Sequence, residues 1–154
     1  MDIKALLPRH HVLLHLAAAP RRELLRQLVA PLAEDGLVTD QEQLLDDLEH
    51  REDQITTQIR KDIALPHARS DRIRRLAFCV GVAEGDGLVY DPASGPHCRV
   101  LFLIAVPSLA PTAHLALLQH LVHFSADHRR VLKLAAAATP AQVVSALAAY
   151  KGVK

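Results

Sequence analysis

The sequence predicts an α/β fold, a three-layer α/β/α sandwich around a mixed β-sheet. Two observations carry that expectation. Apolar segments of strand length alternate along the chain with segments of helical period. One segment, VLFLIAV at 100–106, is apolar at every residue, the mark of a strand covered on both faces. With 154 residues, 50% of them hydrophobic, the chain is long enough for one sizeable core, so residues 1–154 are expected to form a single domain.

The elements follow in order. Residues 1–10 read as a surface leader. Val12 to Leu16 reads as a first strand. Pro20 opens a helical pattern through Leu24, Leu25, Leu28, Val29 and Leu32, and Pro31 inside it predicts a kink or an early end. Asp40, with Gln43 three residues on, signals the cap of a second helix through Leu44, Leu45 and Leu48 toward Arg51. Residues 51–62, REDQITTQIRKD, lack a clean period and read mainly as a loop. IALPH at 63–67 reads as an extended stub, because a residue before proline is pushed out of the helical region.

Phe78 to Ala83 is a strand, and Leu88 to Tyr90 a short one after the EGDG turn. The apolar strand at 100–106 is followed by a loop between Pro107 and Pro111. A helix is expected from about Thr112 to Phe124 and another after Asp127. A last helix starts at Thr139-Pro140, a cap followed by proline at the first helical position.

Composition narrows the function. Lys plus Arg number 18 against 17 Asp plus Glu, and aromatics are 3% with no Trp. Neither a global basic field nor a base-stacking platform is present, so no nucleic-acid partner is expected. The longest apolar run is far short of a bilayer span, so no membrane insertion is expected. Cys79 and Cys98 fit neither a disulfide framework nor a zinc knuckle and read as reduced core residues of a cytoplasmic protein.

Four local features bear chemistry. Arg51-Glu52 lies at the end of the second helix, and Thr56-Thr57 follows. Pro66-His67 ends the extended stub. His114 stands near the start of the helix after the buried strand. Singly, each has a plain structural reading: a solvated helix end, loop hydroxyls, a turn histidine, a first-turn residue facing water. In order they spell R-E-x3-[ST]-T-x-I-x3-I-A-[IL]-P-H, then a buried strand ending in proline, then HLALL.

That order resembles the enzyme IIA domain of the fructose–mannitol class of the bacterial phosphoenolpyruvate:sugar phosphotransferase system, which includes the nitrogen-regulatory IIA proteins. The resemblance runs from about Leu6 to Tyr150. It implies a phosphohistidine carrier with His67 as acceptor and Arg51 beside the phosphate. It also implies His114 near the acceptor and Thr57 as a second phosphate contact. The implied donor is a histidine-containing phosphocarrier protein. The implied recipient is a IIB or permease domain, or a regulatory target protein. No cofactor is implied, because transfer between phosphoramidates asks for in-line approach and charge compensation. A neutral imidazole is nucleophilic near pH 7, and a guanidinium can bond two phosphoryl oxygens.

The family's loop pattern, T-G-I-G-x-G-I-A, here carries Gln58, Arg60 and Asp62 where glycines stand. Gln58 and Arg60 are expected to offer side-chain donors in place of main-chain amides. Asp62 must point away or pair with Arg60 or Arg69, since a carboxylate beside phosphate costs energy. The alternative is a non-catalytic IIA-like binding or sensing module with an altered loop. Ten histidines raise the question of a metal, but on one helix His114 projects away from His120 and His123, and His10-His11 reads as a flexible doublet, so none is expected. Arg69, Arg72, Arg74 and Arg75 read as a solvated basic turn.

Overall fold

The computed structural model describes residues 1–152. A five-stranded mixed sheet carries helices on both faces, the expected α/β/α arrangement. The strands are β1 (Val12–Leu16), β2 (Ile63–Ala64), β3 (His67–Ser70), β4 (Ala77–Ala83) and β5 (Val100–Pro107). The helices are α1 (Ile3–Leu6), α2 (Arg21–Glu34), α3 (Gln41–Gln54), α4 (Leu115–Ser125), α5 (His128–Ala135) and α6 (Pro140–Ala149). β1 pairs parallel with β4, β4 antiparallel with β5, and both β2 and β3 parallel with β5.

β5 is buried at every residue, and its alternation shows why. Leu101, Leu103 and Ala105 join one core with Leu24, Leu25, Leu28, Leu44, Leu45 and Leu48 of α2 and α3. Val100, Phe102, Ile104 and Val106 join a second core with Leu117, Leu121, Val131, Val143 and Leu147 of α4 to α6. Side chains alternate across a strand, so a strand between two helical layers must be apolar on both.

β2 and β3 are two halves of one edge strand. Ile63 pairs with Val100 and Ala64 with Leu101, and His67 with Ile104, so the register carries straight through Leu65-Pro66. Proline is tolerated there because an edge strand has a side that needs no amide donor, while the Pro66 carbonyl still accepts from Ile104 N at 2.9 Å. The sequence reading stopped the extended segment at His67. In fact the strand resumes there and runs to Ser70.

Five other expectations change. The N-terminal residues are not merely a leader: α1 forms, capped by Asp2, and Ile3 and Leu7 are buried against the second core. Pro31 does not end α2, which continues to Glu34 with Pro31 itself buried. α3 continues past Arg51 to Gln54, so the first third of the expected loop is helical. Leu88 to Tyr90 is not a strand; Leu88 makes a single antiparallel bridge with Cys98. The helix expected from Thr112 begins at Leu115. The caps stand as read: Asp40 accepts from Gln43 N, Asp127 from Arg129 N, and Thr139 from Gln142 N. Both cysteines are free and buried, and burial pushes the Cys98 thiol up to about 12. Among the described residues no helix is long and apolar enough to cross a membrane.

Candidate phosphoryl-acceptor site

Strand alternation puts Ala68 and Ser70 on the α3 side of the sheet, where Ala68 enters the first core and the Ser70 hydroxyl donates to Asp47 Oδ2 at 2.6 Å. His67 and Arg69 therefore point to the opposite face, where α4 begins. Because the strand is at the edge, the cleft wraps around it and takes in both faces. Asp47, His50, Arg51 and Gln54 supply its α3 wall, spaced i, i+3, i+4 and i+7 on one helical face. His67, Ala68, Arg69, Val106 and His114 supply the rest of a cleft of about 370 Å³.

The geometry of His67 fixes its tautomer. Nδ1 lies 2.7 Å from the Leu65 carbonyl oxygen. A carbonyl only accepts, so Nδ1 carries the proton and Nε2 of the neutral ring keeps its lone pair. Burial, and after it the charges of Arg51 and Arg69, hold the imidazolium pKa below the ordinary histidine value, outweighing the opposing Leu65 hydrogen bond and Glu52 charge. The ring is thus neutral at pH 7, half-buried, with a defined nucleophilic nitrogen.

His114 is buried just ahead of α4, its ring centroid 5.9 Å from that of His67. Its Nδ1 has no hydrogen-bond partner. Desolvation and the neighbouring His67 and Arg69 lower its pKa as well. Arg51 donates Nη1 to the Ile55 carbonyl at 3.0 Å, and Arg69 donates Nε to the Pro111 carbonyl at 3.0 Å. Each guanidinium is thereby anchored by one N–H with further donors left over. The structure brings together His67, Arg51 and His114, which lie apart in sequence.

Thr57 is placed elsewhere. It is buried, its hydroxyl donates to Glu52 Oε1 at 2.6 Å, and its amide donates to Glu52 Oε2. It does not line the cleft. Glu52, read as part of a solvated helix end, is instead a buried carboxylate that also accepts from the Tyr90 hydroxyl. This knot ties the end of α3 to the loop, and Thr57 O then accepts from Leu65 N at 3.0 Å, beside the carbonyl that orients His67.

The residues standing at the family's glycine positions also stay out of the cleft. Gln58 donates Nε2 to Lys61 O at 2.9 Å and accepts from Asp91 N at 2.9 Å, so its amide is spent on bracing the loop. Asp62 points away and pairs with His128 Nδ1 at 2.7 Å, not with Arg60 or Arg69. Arg69, read as part of a basic turn, belongs to the cleft. The signal available for it was the strand period, which places it two residues past His67 on the same face.

A neutral imidazole with a pinned Nδ1 shares this cleft with two guanidinium groups at the edge of the mixed sheet of an α/β domain. The chain belongs to the family described as "Phosphoenolpyruvate-dependent sugar phosphotransferase system, EIIA 2", whose model matches residues 5–150. Among curated proteins it is 28% identical over 149 residues to the 2-O-alpha-mannosyl-D-glycerate-specific EIIABC component of Escherichia coli strain K12. That match covers 96% of this chain and 22% of the relative, so the chain spans about a fifth of the relative's length. Among solved structures, the nitrogen regulatory protein IIA-Ntr of Neisseria meningitidis superposes with a TM-score of 0.82 at 20% identity, over 94% of this chain and 98% of that one. The enzyme IIA of Escherichia coli in the complex of IIAMTL with phosphorylated IIBMTL superposes with a TM-score of 0.71 at 19% identity, over 91% and 95%. The likeness to these two confirms the fold.

Proposed function

We propose that His67 is a phosphoryl carrier. Its Nε2 attacks the phosphorus of a phosphohistidine on a histidine-containing phosphocarrier protein. The new N–P bond forms as the donor's N–P bond breaks, and the donor imidazole leaves with the electron pair. No water, metal or added proton enters the balance. The phosphorylated His67 ring gains positive character, and its Nδ1–H, already held by the Leu65 carbonyl, is stabilised in place. Arg51 and Arg69 offset the charge on the phosphoryl oxygens. His114, next to the acceptor ring, is placed as a further hydrogen-bonding neighbour.

The observation that carries this reading is the His67 Nδ1 bond to Leu65 O, which leaves Nε2 as the free nucleophile among cations. Family membership supports it, since the family consists of components of a phosphotransferase system. Leu109 and Leu115, exposed on either side of His114 along the chain, offer apolar contact to a docking protein. The group then passes to a cysteine of a IIB domain or stays as a regulatory signal in a cytoplasmic protein. The test is intact-mass measurement after incubation with phosphoenolpyruvate and the two general phosphotransferase proteins. One added phosphoryl group is expected in the wild type and none in His67→Ala; labelling retained in the variant refutes the assignment.

A further inference from the structure

At the opposite side of the sheet, a second cluster has no part in this chemistry. His10 and His11, read as a flexible doublet, are held in a short 3-10 turn (Arg9–His11) ahead of β1. Asp35, at the C-terminal end of α2, meets both. His10 Nε2 lies 2.9 and 2.8 Å from the two carboxylate oxygens, and His11 Nε2 lies 2.6 Å from Oδ2. His11 is buried, while His10 and Asp35 are open to solvent.

The other nitrogen of His11 decides what this cluster wants. Nδ1 lies 3.0 Å from the Phe78 carbonyl oxygen. β1 begins at Val12 and pairs there with Val80, so the imidazole serves a carbonyl that the β1 ladder does not reach. A carbonyl only accepts, so Nδ1 bears the proton. The Nε2 lone pair of the neutral ring then faces a carboxylate, which also only accepts. Two such lone pairs at 2.6 Å repel unless a cation lies between them. His10 is less constrained: among the described residues no acceptor holds its Nδ1, so the neutral ring can either donate Nε2–H to Asp35 or offer the Nε2 lone pair to a metal. Without a metal, His11 must be an imidazolium to donate to the carboxylate while holding the Phe78 carbonyl; a dication bound to both Nε2 atoms removes that need.

We propose that His10 Nε2, His11 Nε2 and Asp35 form a site for a late first-row divalent metal of the zinc class. The three donor atoms lie within 4.8 Å of one another. Tetrahedral coordination at about 2.0–2.2 Å asks for ligand separations of roughly 3.4 Å, so the carboxylate and the exposed His10 ring must draw back by about 0.5–0.8 Å. Two imidazoles and one carboxylate leave a fourth position for water. The donor set, without thiolate, suits zinc, copper or nickel rather than calcium or magnesium. The Nδ1–H bond to the Phe78 carbonyl is the outer-sphere contact that fixes the tautomer of a metal-bound histidine. The metal ties the N-terminal turn to the end of α2. It lies away from His67, whose strand is separated from β4 by β5.

The test is titration of tag-free, chelator-stripped protein with Zn²⁺ against a chromogenic competitor. One equivalent is expected to bind, and His10→Ala and Asp35→Asn each weaken it by more than about tenfold. Both residues are exposed, so the variants are expected to fold, which circular dichroism checks. The exposed controls His97→Ala and His123→Ala keep wild-type affinity. Zn²⁺ also raises the Tm of the wild type and leaves that of Asp35→Asn unmoved. Absence of stoichiometric binding, or binding that Asp35→Asn and His10→Ala leave intact, overturns the proposal.

Discussion

Replacing Tyr90 with Phe tests whether the Glu52 knot is scaffold or site. Glu52 is 5% exposed and accepts from Thr57 N, Thr57 Oγ1 and Tyr90 Oη. The substitution keeps the ring in its packed position and removes one donor to a buried carboxylate. A hydrogen bond to a charged group contributes about 1.5–3 kcal/mol, so the expected loss is about 2 kcal/mol. In a domain of this size that lowers Tm by roughly 4–8 °C. Thr57→Val removes the second hydroxyl from the same oxygen while leaving the amide bond, and its loss is expected to be similar. Because both donors meet Glu52 Oε1, the double variant should depart from additivity by at least about 0.5 kcal/mol. Urea unfolding followed by circular dichroism gives the three free energies, and intact mass gives the phosphorylation end point. Both single variants are expected to reach full phosphorylation while folded. Wild-type stability in Tyr90→Phe refutes the reasoning. So does a Thr57→Val protein of unchanged stability that no longer accepts phosphate, which would place the hydroxyl on the phosphoryl group instead.

Two further outcomes follow from the cleft. The folded pKa of His67 lies below the unfolded value of about 6.5, so the unfolded chain binds more protons between the two values. Stability from this residue is complete above about 6.5 and falls as pH drops through that window; NMR titration should find the ring still neutral below pH 6.5, and Arg51→Gln should move its midpoint upward. Arg69→Ala removes a cation from the His67 face and should slow phosphorylation by about 10–100-fold without changing its end point, which a rapid-quench time course reads.

Most of the architecture was legible before any coordinates. β5 announced its double burial by seven consecutive apolar residues, and Asp40, Asp127 and Thr139 marked helix starts because capping is local chemistry. His67, Arg51 and His114 were legible only as an ordered pattern; no period in the chain says that residues 51, 67 and 114 share a cleft. The polar face of α3 from Arg51 to Gln54 was lost in a loop reading because Glu52, the one buried position there, carries a charge. Its burial depends on Thr57 and Tyr90, and that compensation is invisible to hydrophobic patterning.

The sequence by itself determined the layers, the central strand and the imidazole that follows Pro66. The tertiary structure alone decided where the other polar groups went: Thr57 to a buried carboxylate, Asp62 to His128, Asp35 to a histidine pair 24 residues earlier. The physical reason is range. Periodicity and capping act within a few residues, whereas a polar side chain's partner is set by which elements the sheet brings side by side.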